Sequence, residues 1–321
     1  MIPPATAMPF LAANGWGDGT ILPLAGDASF RRYFRVAAPG RTAVLMDAPP
    51  EHEDSRPFLA VAAHLRSTGF AAPQVFATDL DAGLILLEDF GDDRVAEAVA
   101  LDPSREAKIY GDAVDLLLRL HSVPPPADLP PYDRAVYQRE AGLFTEWYGP
   151  AVDLPVDVEA YVSAWNTVLA QVTERSVLVL RDYHAENIML REGQDLALLD
   201  FQDALTGHPA YDLVSLLQDA RRDVSAATEA SMLARYRSSR PLDDAAYAIL
   251  GAQRNAKILG IFTRLWKRDG KPRYLSLQPR VWRYLERDLA HPALAPVKAW
   301  FDRNVPVEKR AAAWTAGTLA T

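Results

Sequence analysis

The chain contains no cysteine. Disulfide bonds, thiolate nucleophiles and cysteine-based zinc sites are therefore excluded. The six histidines are scattered, and no two of them have the i, i+4 spacing of a helical HExxH zinc motif. The absence of cysteine fits the reducing cytoplasm, which is the location that we predict.

The chain also lacks a long hydrophobic run and an excess of positive charge. No apolar stretch approaches the roughly 20 residues that a membrane-spanning helix needs. The opening MIPPATAMPFLAANGW has no Lys or Arg ahead of an apolar core, so it does not read as a secretory signal. The formal net charge of -8 argues against binding nucleic acid or an anionic membrane through net charge. We expect small-molecule partners, and the sequence predicts no oligomeric state.

Enough apolar residues are present to form a packed core. The chain has 321 residues, of which 49% are hydrophobic and 24% charged, and its length is typical of two domains. Residues 1–18 predict a short helix and a Gly-rich turn, and the short β-branched and aromatic runs that follow predict antiparallel strands around a second helix at 57–68. Residues 91–321 are mainly helical by their periodicity. The predicted fold class is α+β, with a sheet-rich domain at 1–90 and a helical domain at 91–321.

One hairpin is predicted within the helical part, in LRDYHAENIMLREGQDLALLDFQD at residues 180–203. Its apolar runs IML and LALL indicate two short strands. If Gly193 and Gln194 form the centre of the turn, Asn187 pairs with Asp200 across the hairpin, with Cβ atoms roughly 5 Å apart. An amide oxygen and a carboxylate at that separation can share one hard cation such as Mg²⁺, which takes its other ligands from phosphates and water.

Asp182 lies five residues before Asn187, on the loop that enters the hairpin. It can face the metal site without being a ligand. This suits phosphoryl transfer, in which the metal neutralises phosphate charge and a separate carboxylate orients the attacking hydroxyl. Any one of these polar residues could instead be a turn or cap residue, but their combination on an apolar hairpin favours the functional interpretation.

Several segments resemble known phosphotransferases. LRDYHAENIML and LLDFQDA resemble the catalytic loop and the metal-binding segment of the aminoglycoside/choline-kinase-like superfamily. More narrowly, GDASFRRYFRV, MDAPPEHED, LLEDFGD and QRNAKILGIFTRL resemble the bacterial anomeric N-acetylmuramate/N-acetylglucosamine kinases of cell-wall recycling. The resemblance extends over most of the chain, and it implies a bilobal protein-kinase-like fold with ATP in the cleft.

The resemblance also implies roles for individual residues. Asp182 would be the catalytic base, and Asn187 and Asp200 would hold Mg²⁺. LLEDF matches the hinge between the lobes, so the backbone of Glu88 and Phe90 would bond the adenine of ATP.

Asp212, in AYDLVSLL, matches a family position that braces the catalytic loop, although a helix N-cap needs the same residue type.

The sequence also departs from the superfamily. Leu180 stands where a bracing His is usual, and the third strand has Met46 and Asp47 where a Lys usually holds the α- and β-phosphates. The predicted helix at 57–68 also lacks the Glu that would pair with that Lys. The sugar-kinase branch shares the MDAP sequence, so we expect the loss to be typical of that branch.

Another cation should then meet the phosphates. The candidates are Arg31 and Arg32, which follow the AGDAS turn, together with Ser29 of that turn. Strand alternation places the two arginines on opposite faces of the sheet, and backbone N–H groups of the turn could also bind phosphate oxygens. The alternative is that the arginines are solvated surface residues.

Two features of the sequence predict which residues contact the sugar substrate. Residues 254–273 carry seven Lys or Arg and one Asp in an otherwise acidic chain. One or two of these cations could meet the carboxylate of N-acetylmuramate, and a solvated helix face is the alternative. His184, Glu186, Gln202 and Asp203 flank the catalytic loop and could bond sugar hydroxyls, or could equally lie behind the site or face solvent.

The sequence therefore predicts an ATP- and Mg²⁺-dependent enzyme that phosphorylates the anomeric hydroxyl of N-acetylmuramate, N-acetylglucosamine or both. Three alternatives stay open. One is a kinase of another small alcohol, such as an aminoglycoside or a choline-like amine. A second is a nucleotide-binding pseudokinase scaffold, which the missing Lys favours. A third is a protein kinase, which is disfavoured because no activation segment ending in APE follows DFQDA.

Overall fold

The computed structural model describes residues 1–24, 30–191 and 196–314. The chain forms two compact units. Unit 1 comprises Met1–Pro103 and Glu186–Ala204, and unit 2 comprises Ser104–Ala185 and Leu205–Thr321. The chain therefore crosses from one unit to the other three times, and Glu186–Ala204 is an insertion that packs with unit 1.

The elements are numbered along the chain. The strands are β1 (Thr20–Pro23), β2 (Arg32–Ala38), β3 (Arg41–Asp47), β4 (Val75–Asp79), β5 (Leu84–Glu88), β6 (Val177–Val179), β7 (Ile188–Met189), β8 (Ala197–Leu198) and β9 (Leu205–Gly207). The helices are α1 (Ala7–Ala13), α2 (Arg56–Ser67), α3 (Val95–Leu101), α4 (Glu106–Leu120), α5 (Arg134–Leu143), α6 (Gly149–Ala151), α7 (Val158–Leu169), α8 (Ala210–Leu217), α9 (Ala226–Arg237), α10 (Asp244–Lys267), α11 (Gln278–Leu289) and α12 (Ala295–Asn304). A π-helical turn covers Phe144–Tyr148, and short 3-10 segments cover Pro103–Arg105, Pro272–Leu277, Pro292–Leu294, Val307–Lys309 and Ala311–Trp314.

An antiparallel sheet forms the centre of unit 1, with strand order β1-β2-β3-β5-β4. Phe34 lies opposite Leu45, which lies opposite Leu86. Because alternate residues of a strand point to the same face, these side chains share one buried cluster with Phe10 and Leu11 of α1. The sheet predicted for the N-terminal region is confirmed, and α1 covers one of its faces.

Helix α2 agrees with the helix predicted at 57–68. The apolar stripe that defined the prediction, Phe58, Val61, Ala62 and Leu65, is buried. The helix ends just before Gly69, which has a φ of 88°. Glycine adopts this left-handed conformation without steric cost, which is why it commonly follows a helix end.

The β7–β8 hairpin packs within unit 1. Ala197 forms a backbone bridge with Ala71, whose carbonyl also accepts from the amide of Leu198 at 2.8 Å. The amide of Leu190 donates to the carbonyl of Asp93 at 2.7 Å. The hairpin lies within the predicted helical domain at 91–321, but its packing places it with unit 1. The division into lobes at residue 90 stays a prediction.

Helix α10 is the long central helix of unit 2. It packs against α5, α8, α11 and the π-helical turn. Gly260 makes one of these contacts possible, because a Cβ atom there would lie 2.4 Å from the carbonyl carbon and oxygen of Leu143. None of the helices in the described part of the chain is long and apolar enough to cross a bilayer.

One pair of strands in unit 2 was not predicted. The three-residue strands β6 and β9 pair antiparallel, with Val177 opposite Gly207. Strands this short show too few alternating positions to be recognised by period. Their pairing brings together the two ends of the segment that carries the predicted catalytic loop and hairpin.

Candidate active site

The β7–β8 hairpin is present, but its register differs from the prediction by one residue. Ile188 pairs with Leu198, whereas the predicted turn would have paired it with Leu199. The amide of Leu199 donates to the carbonyl of Asn187 at 3.0 Å, so Leu199 takes the place opposite Asn187. The predicted register is therefore wrong, and the predicted turn centre, Gly193–Gln194, lies outside the described residues.

Asp200 nevertheless reaches Asn187. It follows the end of β8 and has a φ of 56°, a left-handed conformation that Asp adopts more readily than most residues. With this change of backbone direction, Asp200 Oδ2 lies 3.3 Å from Asn187 Nδ2. The two side chains meet through a local turn, and not through the cross-strand pairing on which the sequence argument relied.

The residues after Asp200 fix its position. Gln202 Nε2 donates to Asp200 Oδ1 at 3.0 Å. Phe201 is fully buried and stacks on Phe58 of α2, with ring centroids 5.2 Å apart and planes 9° apart. Burial of the Phe201 ring holds the backbone while the Asp200 side chain stays exposed.

The donor set of Asn187 and Asp200 fits Mg²⁺. Rotation of the Asn187 amide group would exchange its nitrogen for its oxygen, so that the pair offers an amide oxygen and a carboxylate. These are hard ligands of the kind that Mg²⁺ takes. Among the described residues, no group of three or more His, Asp or Glu is arranged to hold a metal ion. An ion bound here would therefore take most of its ligands from phosphate and water, as Mg²⁺ commonly does.

Arg31 supplies a largely buried cation in unit 1. Tyr33 pairs with Met46 across β2 and β3, so the two side chains share a face of the sheet. Burial raises the pKa of Tyr33 to about 12, with a further increase from the charge of Asp200 and a decrease from Arg31. Arg31 Nη2 lies 2.9 Å from Glu53 Oε2, and its side chain is 9% exposed. Arg31 therefore lies on the same face of the sheet as Tyr33 and Met46.

Arg32 lies on the opposite face, with α1. Its Nε donates to Asp47 Oδ2 at 2.6 Å, and its Nη1 donates to the carbonyl of Ile2 at 3.3 Å. The geometry therefore favours Arg31 over Arg32 as a phosphate contact. Ser29, the third predicted contact, lies outside the described residues.

The predicted hinge residues have unequal backbone environments. The amide of Glu88 donates to the carbonyl of Gln74 at 2.8 Å. Among the described residues, the amide and carbonyl of Phe90 form no backbone hydrogen bond. The guanidinium of Arg191 lies over the Phe90 ring, 5.2 Å from its centroid. The Glu88 amide is therefore already bonded, and adenine contact by either residue stays a prediction.

Asp182 belongs to unit 2, where it follows β6 and is half-buried. Burial acts to raise the pKa of its carboxyl, but positive charges, chiefly that of Lys257 and also that of Arg254, outweigh burial and hold the pKa below its ordinary value. The carboxylate is therefore ionised at neutral pH, as a group that orients a hydroxyl must be.

Asp212 holds the backbone just before Asp182. Its Oδ2 accepts from the amide of Leu180 at 2.7 Å, and its Oδ1 accepts from the amide of Arg181 at 2.9 Å. Arg181 has a φ of 72°, so these bonds stabilise a backbone conformation that a residue with a side chain rarely adopts. The N-cap alternative is wrong, because α8 begins at Ala210 with no side-chain cap. The contacts are those expected of a brace.

The carboxylate of Glu140 contacts two cations, Arg181 of this loop and Lys257 of α10. Lys257 Nζ lies 3.2 Å from Glu140 Oε1, and the Arg181 guanidinium contacts the same oxygen. Lys257 Nζ also lies 3.4 Å from the Tyr211 hydroxyl. The Arg181, Lys257 and Glu140 side chains of unit 2 therefore form an ion cluster with one more positive than negative charge.

The basic segment 254–273 is divided between the interior and the surface. Arg254 and Lys257 are buried, at 3% and 9% exposure. Lys267 and Arg268, at the end of α10 and just beyond it, are exposed. The solvated-face alternative therefore describes only the later part of the segment.

A comparison with protein families decides the class of this protein. Residues 20–250 match the model of the phosphotransferase enzyme family, and this range includes the sheet, Asp182, the hairpin and Asp212. The chain belongs to this family. The reaction class that the hairpin predicted, phosphoryl transfer, is thereby confirmed.

Relatives of this phosphotransferase cover nearly its whole length. A protein of Caulobacter vibrioides named N-acetylmuramate/N-acetylglucosamine kinase is 40% identical, over 94% of this chain and 96% of the relative. A protein of the same name from Pseudomonas aeruginosa is 39% identical, over 88% of this chain and 89% of the relative. The resemblance inferred from the motifs is therefore confirmed.

A solved structure supports the predicted fold. A choline/ethanolamine kinase family protein from Mesorhizobium loti aligns with a TM-score of 0.64 over 92% of this chain and 96% of its own, at 15% identity. At this identity the likeness shows the fold alone. The predicted α+β, kinase-like fold is confirmed for this phosphotransferase.

The four predicted substrate contacts have different environments. His184 is 2% exposed, and its Nε2 lies 3.0 Å from Arg221 Nη1. Burial, assisted by the charge of Arg221, lowers the pKa of His184 to about 4, so the ring is neutral at pH 7. Gln202 is bonded to the metal-site carboxylate. Glu186 is half-buried and Asp203 is exposed, and sugar contact by any of the four stays a prediction.

Proposed function

We propose that the chain is an ATP-dependent kinase that phosphorylates the anomeric hydroxyl of N-acetylmuramate and N-acetylglucosamine. The observation that carries this proposal is the agreement of four relatives, all named N-acetylmuramate/N-acetylglucosamine kinase, at 34–40% identity over 85–94% of this chain. The anomeric position is taken from the resemblance of the motifs. The cytoplasm, where ATP is available, is the proposed location.

Asp182 is proposed to orient the attacking hydroxyl. The hydroxyl oxygen bonds to the γ-phosphorus, the bond from that phosphorus to the β,γ-bridging oxygen breaks, and ADP leaves. The hydroxyl proton passes to the Asp182 carboxylate. Because the pKa of Asp182 is lowered, the group is a weak base, so alignment is its larger contribution to the rate. Asp212 supports this alignment through its bonds to the preceding backbone.

Asn187 and Asp200 are proposed to hold Mg²⁺. When bound, this ion would neutralise charge on the transferring phosphates. Gln202 restrains the Asp200 carboxylate through the Nε2 hydrogen bond of 3.0 Å. A partner of this kind typically orients a metal-binding carboxylate and tunes its affinity.

Arg31 is proposed to replace the missing Lys. Its guanidinium offers N–H donors in a planar fork that matches phosphate oxygens. Glu53, at 2.9 Å, would position that guanidinium as a Glu usually positions the Lys. Glu53 was not singled out from the sequence, although it lies within the quoted MDAPPEHED segment.

A kinase of another small alcohol is the second candidate. The kinase-like fold is shared with a choline/ethanolamine kinase family protein, but at 15% identity. The buried cations Arg254 and Lys257 oppose a cationic acceptor such as choline or an aminoglycoside, because like charges repel. A pseudokinase scaffold is disfavoured because the chain retains Asp182 and the Asn187–Asp200 pair.

A panel of acceptors with labelled ATP tests the proposal. We expect transfer to N-acetylmuramate and N-acetylglucosamine, and none to choline, ethanolamine or aminoglycosides. Transfer only to an amine would favour the second candidate. ATP binding without transfer to any acceptor would favour the scaffold.

A further inference from the structure

Arg254 is a buried cation on α10. It is 3% exposed, and among the described residues its solvent-shielded Nη1 has no hydrogen-bond partner. Within the described part of the chain, its guanidinium takes part in no hydrogen bond or ion pair. Buried arginine is normally paired, because the hydrogen bonds that it gives up to water must be replaced. This environment is expected where a ligand supplies the partner.

The residues on either side of Arg254 both donate side-chain hydrogen bonds. Gln253 Nε2 donates to the carbonyl of Tyr137 at 3.0 Å. Asn255 Nδ2 donates to Gln218 Oε1 at 2.7 Å. These bonds fix the rotation of α10 about its axis. The position of Arg254 is therefore set by its neighbours, and its own donors take no part in setting it.

Arg254 belongs to the surroundings of Asp182. Burial is the largest influence on the pKa values of Asp182 and Asp212, and the charge of Arg254 lowers both. Lys257, one helical turn along, lies 3.2 Å from the Glu140 carboxylate, which it shares with Arg181. In the described part of the chain, Arg254 is therefore the cation near the proposed catalytic carboxylate that lacks an acidic partner.

We propose that Arg254 binds the carboxylate of an acidic acceptor sugar and thereby favours N-acetylmuramate over N-acetylglucosamine. The inference rests on the proposed function, because both sugars are acceptors in that reaction. N-acetylmuramate carries a lactyl carboxylate that N-acetylglucosamine lacks. The planar guanidinium fork matches a carboxylate, and the bound anion replaces the hydrogen bonds lost on burial.

The test compares both sugars in Arg254→Met, which keeps the length of the stem and removes the charge. We expect the ratio of kcat/KM for N-acetylmuramate to kcat/KM for N-acetylglucosamine to fall by about 10- to 100-fold, the usual loss for a charge-assisted contact. Lys267→Met, an exposed cation of the same helix, is the matched control and should keep the wild-type ratio. An unchanged ratio in Arg254→Met overturns the proposal. So does an equal loss for both sugars with a raised KM for ATP, which would assign Arg254 to phosphate.

Thermal unfolding of the protein without ligand distinguishes a role of Arg254 in sugar recognition from a role in the stability of the fold. An unpaired buried charge destabilises a fold, so we expect Arg254→Met to unfold at the wild-type temperature or above it. A clearly lower midpoint would mean that the guanidinium is structural, and it overturns the proposal. Arg254→Lys keeps the charge without the fork and should retain part of the sugar preference; a ratio equal to that of Arg254→Met contradicts carboxylate binding.

Calorimetry with each sugar in the absence of ATP distinguishes this inference from the proposed kinase activity. We expect wild type to bind N-acetylmuramate more tightly than N-acetylglucosamine, and Arg254→Met to lose the difference. That result supports the role of Arg254 even if neither sugar is phosphorylated, which would reject the kinase proposal alone. Equal affinity of wild type for the two sugars overturns the inference and leaves the kinase proposal intact.

Discussion

Strand β3 has Met46 and Asp47 in the region where this superfamily usually has a phosphate-binding Lys. The neighbouring strand β2 begins directly after Arg31, which is held by Glu53 at 2.9 Å and largely buried. Removing both ions of such a pair from water is costly. We infer that the pair is maintained because the guanidinium serves a ligand, and ATP phosphates are the ligands that the proposed reaction brings to this face of the sheet.

Two single substitutions test this replacement. We expect Arg31→Ala to weaken ATP binding by about 10- to 100-fold, because charge-assisted hydrogen bonds to phosphate are lost. Arg32→Ala should leave the affinity unchanged, because Arg32 is bonded to Asp47 on the other face. Displacement of a fluorescent nucleotide measures both. Unchanged affinity in Arg31→Ala, or an equal loss in both variants, would remove Arg31 from the phosphate site.

The residue types of the site could be predicted from the sequence, but their environments could not. Asp182, Asn187 and Asp200 follow from spacing on an apolar hairpin. The burial of Arg254 does not, because a helical pattern assigns charged residues to the solvent side. Arg254 lies on α10, which packs against α5, α8 and α11, and that packing depends on contacts far apart in the sequence.

Among the secondary-structure elements, the hairpin shows which structural features can be predicted from the local sequence and which cannot. Both strands were predicted, and the pair of polar side chains does meet. The register was wrong because it depends on the length of the turn, which the sequence of the strands does not determine. The positive φ of Asp200 compensates for the shift. The strands of the N-terminal sheet were easier to predict, because they are longer and bounded by clear turn residues.

The packing of α10 on α5 predicts that two glycine substitutions change the stability of the protein in opposite directions. In Gly260→Ala the new Cβ would lie 2.4 Å from backbone atoms of Leu143, so α10 must move, at a cost of about 1–3 kcal/mol. In Gly142→Ala nothing described lies within 4 Å of the new Cβ. Gly142 is helical, so this variant should gain about 0.5–1 kcal/mol from the better helix former.

The midpoint of urea unfolding, followed by circular dichroism, compares these two variants with wild type. We expect the urea concentration at the midpoint to fall in Gly260→Ala and to stay the same or rise in Gly142→Ala. Equal midpoints for the two variants would show that α10 has room at Gly260, and the close contact with α5 would then not limit packing.

In the whole molecule, the proposed catalytic and metal-binding residues come from different compact units. Asp182 belongs to unit 2, and the chain enters unit 1 at Glu186, just before Asn187. The motif was recognisable because its residues are close in sequence. The division into units was not, because it depends on the hydrogen bonds that tie the hairpin to residues 71 and 93.

The charge of the whole chain also bears on the proposal. The formal net charge is -8, so the long-range field disfavours anions such as ATP and an acidic sugar. Local buried cations must therefore supply the attraction. Arg31 in unit 1 and Arg254 in unit 2 are the two that we propose for these ligands.

Phosphorus NMR of the product formed from ATP and N-acetylmuramate tests the central claim most directly. We predict that wild type forms ADP and a sugar phosphate whose phosphorus couples to the anomeric proton. Asp182→Asn, which keeps the size of the side chain but removes its charge, should form the same product about 10²- to 10⁴-fold more slowly with an unchanged circular dichroism spectrum. A phosphorus signal coupled to another proton of the sugar, or a wild-type rate in Asp182→Asn, would contradict the account.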